Sequence, residues 1–110
     1  VASFPRGNHM TSNTHDQYRR KRLFEIGALE FSKGVETLMH EGRLDPIPYF
    51  ERYMRGDWGE VDDDQWQQNN AAVQSGKRLD AHYVVTRELS IRIVTDAGRN
   101  ATVIGLPFEF

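Results

Sequence analysis

Polar and apolar residues alternate in the last third of the chain, a pattern typical of strands that bury one face. Residues 89–94, Leu-Ser-Ile-Arg-Ile-Val, alternate in this way, and residues 102–106, Thr-Val-Ile-Gly-Leu, repeat the pattern. Between them, residues 96–100, Asp-Ala-Gly-Arg-Asn, predict a hairpin loop. Residues 83–85 predict a further short strand.

The middle of the chain shows helical spacing instead. Three helices are expected, over residues 35–41, 46–55 and about 65–75. The first has apolar residues on one face, and Asp45-Pro46 provides a start signal for the second. Asp62-Asp63-Asp64 places negative charge at the start of the third, whose weak inner face is predicted to be Trp66, Asn70 and Val73. Each helix is followed by a glycine suited to a helix end: Gly42, Gly56 and Gly76.

The order of these elements indicates the fold class. With a short strand at residues 26–31, the chain reads β-α-α-α-β-β-β. We therefore expect an α+β domain with a small antiparallel sheet of about four strands and helices packed on one face.

Charge is distributed unevenly along the chain. Residues 1–9 are interpreted as a vector-derived tag remnant and residues 10–22 as a disordered basic arm, leaving residues 23–110 as a single α+β domain. The first 22 residues carry a net charge of +4 and the remainder carries −6. An acidic body argues against general binding of nucleic acid, which depends on neutralising phosphates.

Composition excludes several classes of site. The chain contains no cysteine, so a disulfide framework, a thiolate metal site and a thiol nucleophile are excluded. No apolar run approaches the roughly 20 residues needed to cross a bilayer. We expect a cytoplasmic protein without a membrane partner.

Much of the chain, from about Gly27 onward, carries motifs that in combination resemble a known family. The segments are, in chain order, Arg55–Val61, Gly76–Leu79, Tyr83, Ile91–Thr102 and Leu106–Phe110. They are similar to small proteins of bacterial mobile DNA that are often labelled plasmid-related and sometimes attached by name to type I restriction systems.

Some positions depart from this family pattern. The family usually has an aromatic residue on the central strand, where Ile91 or Arg92 stands here, and a tyrosine in place of Phe110. It rarely has the basic arm. The resemblance implies a genomic setting and no particular chemistry, so no catalytic residue is carried over.

The sequence predicts no catalytic, metal or cofactor site. A calcium loop beginning at Asp57 would need glycine at its sixth position and glutamate at its twelfth, where Asp62 and Gln68 stand. No histidines are spaced as metal ligands, and no serine lies in a nucleophile turn. The acidic stretch is interpreted as a helix-capping, solvated loop.

The loop after the second helix contains the candidate partner-binding residues, with one more in the hairpin: Asp57, Trp58, Glu60 and Arg99. A tryptophan between two glycines either plugs the core or anchors a partner. We favour the core, with Trp58 packing over the helix at residues 46–55. Arg99 is expected to be an ordinary hairpin arginine that matters little for folding.

These observations favour a non-enzymatic accessory protein of bacterial mobile DNA that binds another protein. One alternative is a nucleic-acid-binding regulator whose candidates are Arg19, Arg20, Lys21 and Arg22. A second alternative is a small ligand-binding domain or enzyme with a cleft beside Trp58, Tyr83, Asp96 and Arg99. An exposed apolar patch is expected for a protein that binds a partner, and a concave pocket with convergent titratable groups for an enzyme.

Overall fold

A computed structural model describes residues 23–110 and shows the expected α+β class. In chain order the elements are β1 Ala28–Phe31, α1 Lys33–His40, α2 Ile47–Met54, α3 Asp63–Ser75, β2 Leu79–Val84, β3 Ser90–Thr95, β4 Ala101–Gly105 and a 3-10 turn at Pro107–Glu109. No helix within this described part is long and apolar enough to span a membrane. The predicted tag remnant and basic arm lie outside the described residues.

Helix ends follow the local signals closely. The Ser32 hydroxyl accepts a hydrogen bond from the Val35 amide (3.1 Å) at the start of α1. The Asp62 carboxylate likewise accepts from the Gln65 amide (2.8 Å) at the start of α3. Gly76 ends α3 in the left-handed conformation (φ 78°), where a side chain would be strained. Side-chain caps and glycine therefore set these boundaries.

The four strands form one sheet in the order β1-β4-β3-β2. The pairs β2–β3 and β3–β4 are antiparallel, as expected, whereas β1 pairs with β4 in parallel. A parallel neighbour requires a crossover connection, and the three helices with β2 and β3 supply it. The sheet is therefore mixed, with its one parallel pair at the β1 edge.

The core lies between the helices and one face of the sheet. Leu79, Ala81 and Tyr83 of β2 point into it and lie opposite Thr95, Ile93 and Ile91 of β3, and all six side chains are buried. Aromatic residues from α2 and the loops complete the core, led by Phe24, Tyr53 and Trp58. Each such ring removes a large apolar area from water when it is buried.

Strand β2 is longer than predicted, because it begins at Leu79. Its outer edge is covered by the loop that follows α2. The His82 amide donates to the Trp58 carbonyl (3.2 Å), and the Glu60 amide donates to the His82 carbonyl (2.6 Å). Gly59 lies opposite His82 in a short parallel bridge. This cover satisfies backbone groups that an exposed edge strand would leave unpaired.

The inner face of α3 differs from the predicted one. Asn69 and Ala72 are its buried residues, whereas Trp66 and Val73 are half-buried and Asn70 is exposed. The Asn69 amide donates to the Asp80 carbonyl (2.9 Å), and its oxygen accepts from the Asp80 amide (3.2 Å). A buried asparagine is stable here because β2 satisfies both ends of its side chain.

Candidate functional site

Trp58, the most prominent sequence candidate, is fully buried. Its ring packs edge-on against Tyr53 at 5.5 Å between centroids and lies 5.9 Å from Phe24. The indole Nε1–H donates to Asn70 Oδ1 at 2.9 Å. The structure thus gives Trp58 the packing role over α2 that the sequence favoured, and places it away from any surface that a partner could reach.

The two acidic candidates brace the same loop. Asp57 accepts from Arg52 Nε (2.8 Å) and from the Gly59 amide (3.1 Å). The Arg52 guanidinium, helped by the Gly59 amide, holds the pKa of Asp57 below its ordinary value. The Glu60 carboxylate accepts from the Val84 amide (2.9 Å) at the end of β2. Both carboxylates therefore tie the loop to its neighbours.

Arg99 is not an ordinary surface arginine, which corrects the sequence expectation. Its guanidinium donates to the carbonyls of Ala72 and Lys77, each at 2.6 Å. It also lies 5.7 Å from the centre of the Phe24 ring. A cation that satisfies carbonyls at the end of a helix stabilises that end through hydrogen bonds and the helix dipole. Arg99 thus locks the hairpin onto α3.

The cleft that the second alternative requires is not formed by its four residues. Tyr83 is buried, and its hydroxyl donates to the Asp57 carbonyl (2.7 Å). Asp96 stays within the hairpin, where Oδ1 accepts from the amides of Asn100 (2.8 Å) and Ala101 (3.1 Å). Those amides, Ala101 first, hold the pKa of Asp96 below its ordinary value. Trp58 and Tyr83 belong to the core, whereas Asp96 and Arg99 shape a hairpin.

The remaining candidates from the sequence are the metal ligands and the basic run. Among residues 23–110, no three His, Cys, Asp or Glu side chains are grouped so that they could hold a metal ion. The basic run Arg19, Arg20, Lys21 and Arg22 lies outside the described residues. The chain directly after it is fixed, because the Leu23 amide donates to the Met54 carbonyl (2.9 Å) and Phe24 enters the core.

The most exposed of the large apolar side chains in the described part is Phe108, at 82%. It lies on the Pro107–Glu109 turn that follows β4. A groove of about 420 Å³ runs between this turn and the β2–β3 connection. We call this region the Phe108 surface, defined by the residues that line the groove: Arg87, Glu88, Leu89, Ser90, Leu106, Pro107 and Phe108.

Glu109 fixes the position of this turn. Its carboxylate accepts from the Ser32 hydroxyl, from the Gly34 amide (3.0 Å) and from the Leu106 amide (2.7 Å). These donors, with the Ser32 hydroxyl first, hold the pKa of Glu109 below its ordinary value. The turn is therefore tied to the start of α1, where a negative charge is favourable.

Phe110 folds back while Phe108 points outward. The Phe110 ring lies 4.5 Å from the Arg92 guanidinium carbon. It also fills the space that a side chain at Gly105 would occupy, since a Cβ there would lie 2.9 Å from the ring. Glu109 and Phe110, the two residues that follow Phe108, thus both contact the rest of the domain, while the Phe108 ring is exposed.

The sequence interpretation did not include the Phe108 surface. Leu106 was predicted only as the end of the last strand, and the segment Leu106–Phe110 otherwise entered as part of the family resemblance. A usable signal was present, because an aromatic between Pro107 and Glu109 in a turn has no strand neighbour to cover it. The groove itself depends on the β2–β3 connection, which is distant in sequence.

Comparison with known proteins returns no relative: no family model matches the chain, nor does any curated protein or solved structure.

Proposed function

We propose that this protein is a non-enzymatic accessory protein of bacterial mobile DNA that acts by binding another protein, with the Phe108 surface as the contact. The resemblance of Arg55–Val61, Ile91–Thr102 and Leu106–Phe110 to the mobile-DNA family supports the setting. The absence of cysteine supports a cytoplasmic location.

One observation carries the binding proposal: a phenylalanine that is 82% exposed on a turn fixed by Glu109. Exposure of a large aromatic side chain costs free energy, which a partner that buries the ring recovers. Aromatic anchors contribute strongly to interfaces when they enter a desolvated pocket. The hydrogen bonds that Glu109 makes in the free protein also lower the entropy that this turn loses on binding.

Site-directed photo-crosslinking in host cells tests the proposal. The photoreactive residue p-benzoylphenylalanine is introduced at Phe108 and, as a matched control, at Ile47, which is 44% exposed on α2. We expect a discrete protein adduct from position 108 and none from position 47.

Two results would contradict it. An equal pattern from both positions, or no adduct from 108, would remove the Phe108 surface as the contact. An adduct with nucleic acid would instead favour the regulator that uses Arg19, Arg20, Lys21 and Arg22.

A further inference from the structure

The two edges of the sheet differ in what covers them. At the β2 edge, Gly59 forms a bridge with His82, and the loop after α2 occupies the outer side of the strand. At the other edge, β1 pairs with β4 alone, and no further segment within residues 23–110 pairs with it. In the described part of the chain the sheet therefore ends in an open edge.

The backbone of β1 presents alternate polar groups at this edge. The amides of Ala28 and Ser32 donate to carbonyls of the β4 segment, at 3.0 and 2.9 Å. Because the polar groups of successive residues face opposite edges of a strand, the amides and carbonyls of Leu29 and Phe31 face away from β4. Within residues 23–110 no hydrogen bond reaches those groups. An extended chain laid beside β1 would pair with them.

A shallow groove of about 360 Å³ lies between β1 and α1, on the face of the sheet that carries the helices. It is lined by Phe31, Glu36, Met39 and His40. A strand added beside β1 would turn every second side chain toward this face. The open backbone and the groove are therefore placed so that one extended segment can use both, the backbone for affinity and the groove for side-chain selection.

The groove suits a long side chain that ends in a positive charge. Phe31 and Met39 are half-buried and provide apolar contact, whereas Glu36 is exposed. On the opposite face of β1, Glu30 is exposed as well. Within residues 23–110 neither carboxylate takes part in an ion pair. Arginine and lysine combine an apolar stem with a cationic end and so match this arrangement.

We infer that the open edge of β1 binds an extended, basic segment of another protein as a fifth strand, with an arginine or lysine in the groove. A second copy of β1 fits poorly, because it would bring Glu30 of both molecules together, and like charges on facing strands are unfavourable. The inference goes beyond the proposed function, since the groove shares no residue with the Phe108 surface.

Amide hydrogen exchange on the full chain, followed by nuclear magnetic resonance, tests whether the edge is open. We expect fast exchange at Leu29 and Phe31 and slow exchange at Glu30, whose amide faces β4. Slow exchange at Leu29 and Phe31 in the free protein would show that the edge is already covered and would overturn the inference.

Peptides selected on the full chain from a random library displayed on phage serve as the probe. We expect the selected sequences to alternate β-branched residues with an arginine or lysine, and the bound peptide to slow exchange at Leu29 and Phe31. A selection without enrichment, or enrichment of acidic sequences, would overturn the inference.

Charge reversal tests the groove. Glu36→Lys should weaken binding of a selected peptide by about tenfold, and a glutamate in place of the peptide's basic residue should restore it. Asp64→Lys is the matched control, since Asp64 is also an exposed acid in the first turn of a helix, and it should leave binding unchanged. Equal losses for the two variants would exclude Glu36 from the site.

Backbone methylation of the peptide tests strand pairing. Two peptides of one sequence are methylated on alternate backbone nitrogens, in opposite phase. Because only every second amide of an added strand faces β1, one peptide should lose binding and the other should keep it. Equal affinities of the two peptides would overturn the added strand. Phe108→Ser should bind the selected peptides like the wild type, so this contact and the Phe108 surface can fail independently.

Discussion

At Trp58 a single side chain joins three parts of the molecule. Its ring contacts Tyr53 of α2 and Phe24 of the leading segment, and its Nε1–H reaches Asn70 of α3. Full burial of an indole is stable only when its N–H has an acceptor, and Asn70 provides one.

Replacement of Trp58 by alanine should remove this junction. We expect Trp58→Ala to lower the free energy of unfolding by about 3–5 kcal/mol, as for large aromatics in a core. Urea denaturation followed by circular dichroism measures this loss. Asn70→Ala removes only the hydrogen-bond acceptor and should cost about 1–2 kcal/mol. A Trp58→Ala protein that melts within a few degrees of the wild type would contradict the packing role.

Arg99 also acts structurally. Arg99→Ala should cost about 1–2 kcal/mol, because it removes the donors for the Ala72 and Lys77 carbonyls. Arg99 has a positive φ of 63°, so Arg99→Gly should cost less than Arg99→Ala. Arg55→Ala, at an exposed position, should change stability by no more than about 0.5 kcal/mol. Equal denaturation midpoints for Arg99→Ala and Arg55→Ala would show that Arg99 does not stabilise the end of α3.

Between elements, a chain of buried hydroxyls links α2, β3 and β4. The Thr102 hydroxyl donates its single proton to the Ile26 carbonyl (2.7 Å). Thr95 must then donate to Thr102 (2.7 Å), and Tyr53 must donate to Thr95 (2.6 Å). The donor in each of these three hydrogen bonds is therefore fixed by the bond from Thr102 to the Ile26 carbonyl.

This direction predicts unequal effects for two near-isosteric changes. Thr95→Val leaves the buried Tyr53 hydroxyl without an acceptor and should cost about 1–3 kcal/mol. Tyr53→Phe leaves only a vacant acceptor site on Thr95 and should cost about 0.5–1.5 kcal/mol. Denaturant titration of both variants measures the difference. A larger loss for Tyr53→Phe would mean that the chain runs the other way.

Gly59 is where the loop after α2 approaches β2 most closely. A Cβ at Gly59 would lie 2.1 Å from the His82 carbonyl oxygen, in a backbone with φ of 75°. Gly59→Ala should therefore displace the loop and expose the β2 edge, with amide exchange at His82 accelerated. Gly42 is a matched control, since its φ is 72° and nothing lies within 4 Å of its Cβ position. Unchanged His82 exchange in Gly59→Ala would contradict the close approach.

The elements could be predicted wherever a local signal sets them. Gly76 ends α3 as expected, because a left-handed glycine acts within a few residues, whereas α3 begins at Asp63, two residues earlier than predicted, after the Asp62 cap. The start of β2 was missed, although Leu79 and Ala81 alternate with polar neighbours. Asn69 could not be foreseen on the inner face, because only a distant backbone makes its burial stable.

For the molecule as a whole, stability should fall at both ends of the pH scale. The carboxyls of Asp57, Asp96 and Glu109 have lowered pKa values in the folded state. Their contribution is present above the unfolded values of about 4 and is lost as pH falls through the lower folded values. Burial raises the pKa values of Tyr53 and Tyr83, so stability is also lost as pH rises above about 10.

Urea denaturation at a series of pH values measures both limbs of this profile. The free energy of unfolding of Glu109→Gln should fall less at acid pH than that of the wild type, because this variant lacks one of the three responsible carboxyls. The free energy of unfolding of Tyr83→Phe should likewise fall less at alkaline pH, because this variant lacks one of the two buried phenols. A stability that stays constant from pH 7 to pH 11 would contradict the burial of the two phenols.

The candidate site was harder to predict than the fold. The sequence correctly favoured a packing role for Trp58, but it identified neither Phe108 nor the Glu109 clamp that holds its turn. The clamp joins Glu109 to Ser32, 77 positions earlier. No local pattern reports a contact across that separation, and the groove beside Phe108 also depends on two separate segments, residues 87–90 and 106–108.

The parallel pair at the edge of the sheet has a consequence for biosynthesis. Ala28 of β1 lies opposite Ala101 of β4, 73 positions later in the chain. During translation β1 therefore leaves the ribosome well before its hydrogen-bonding partner has been made. The helices and the β2–β3 hairpin can form while the chain is growing, since their contacts are closer in sequence. The first strand of this sheet to be synthesised is thus among the last to be secured, and the sheet closes only after β4 has been made.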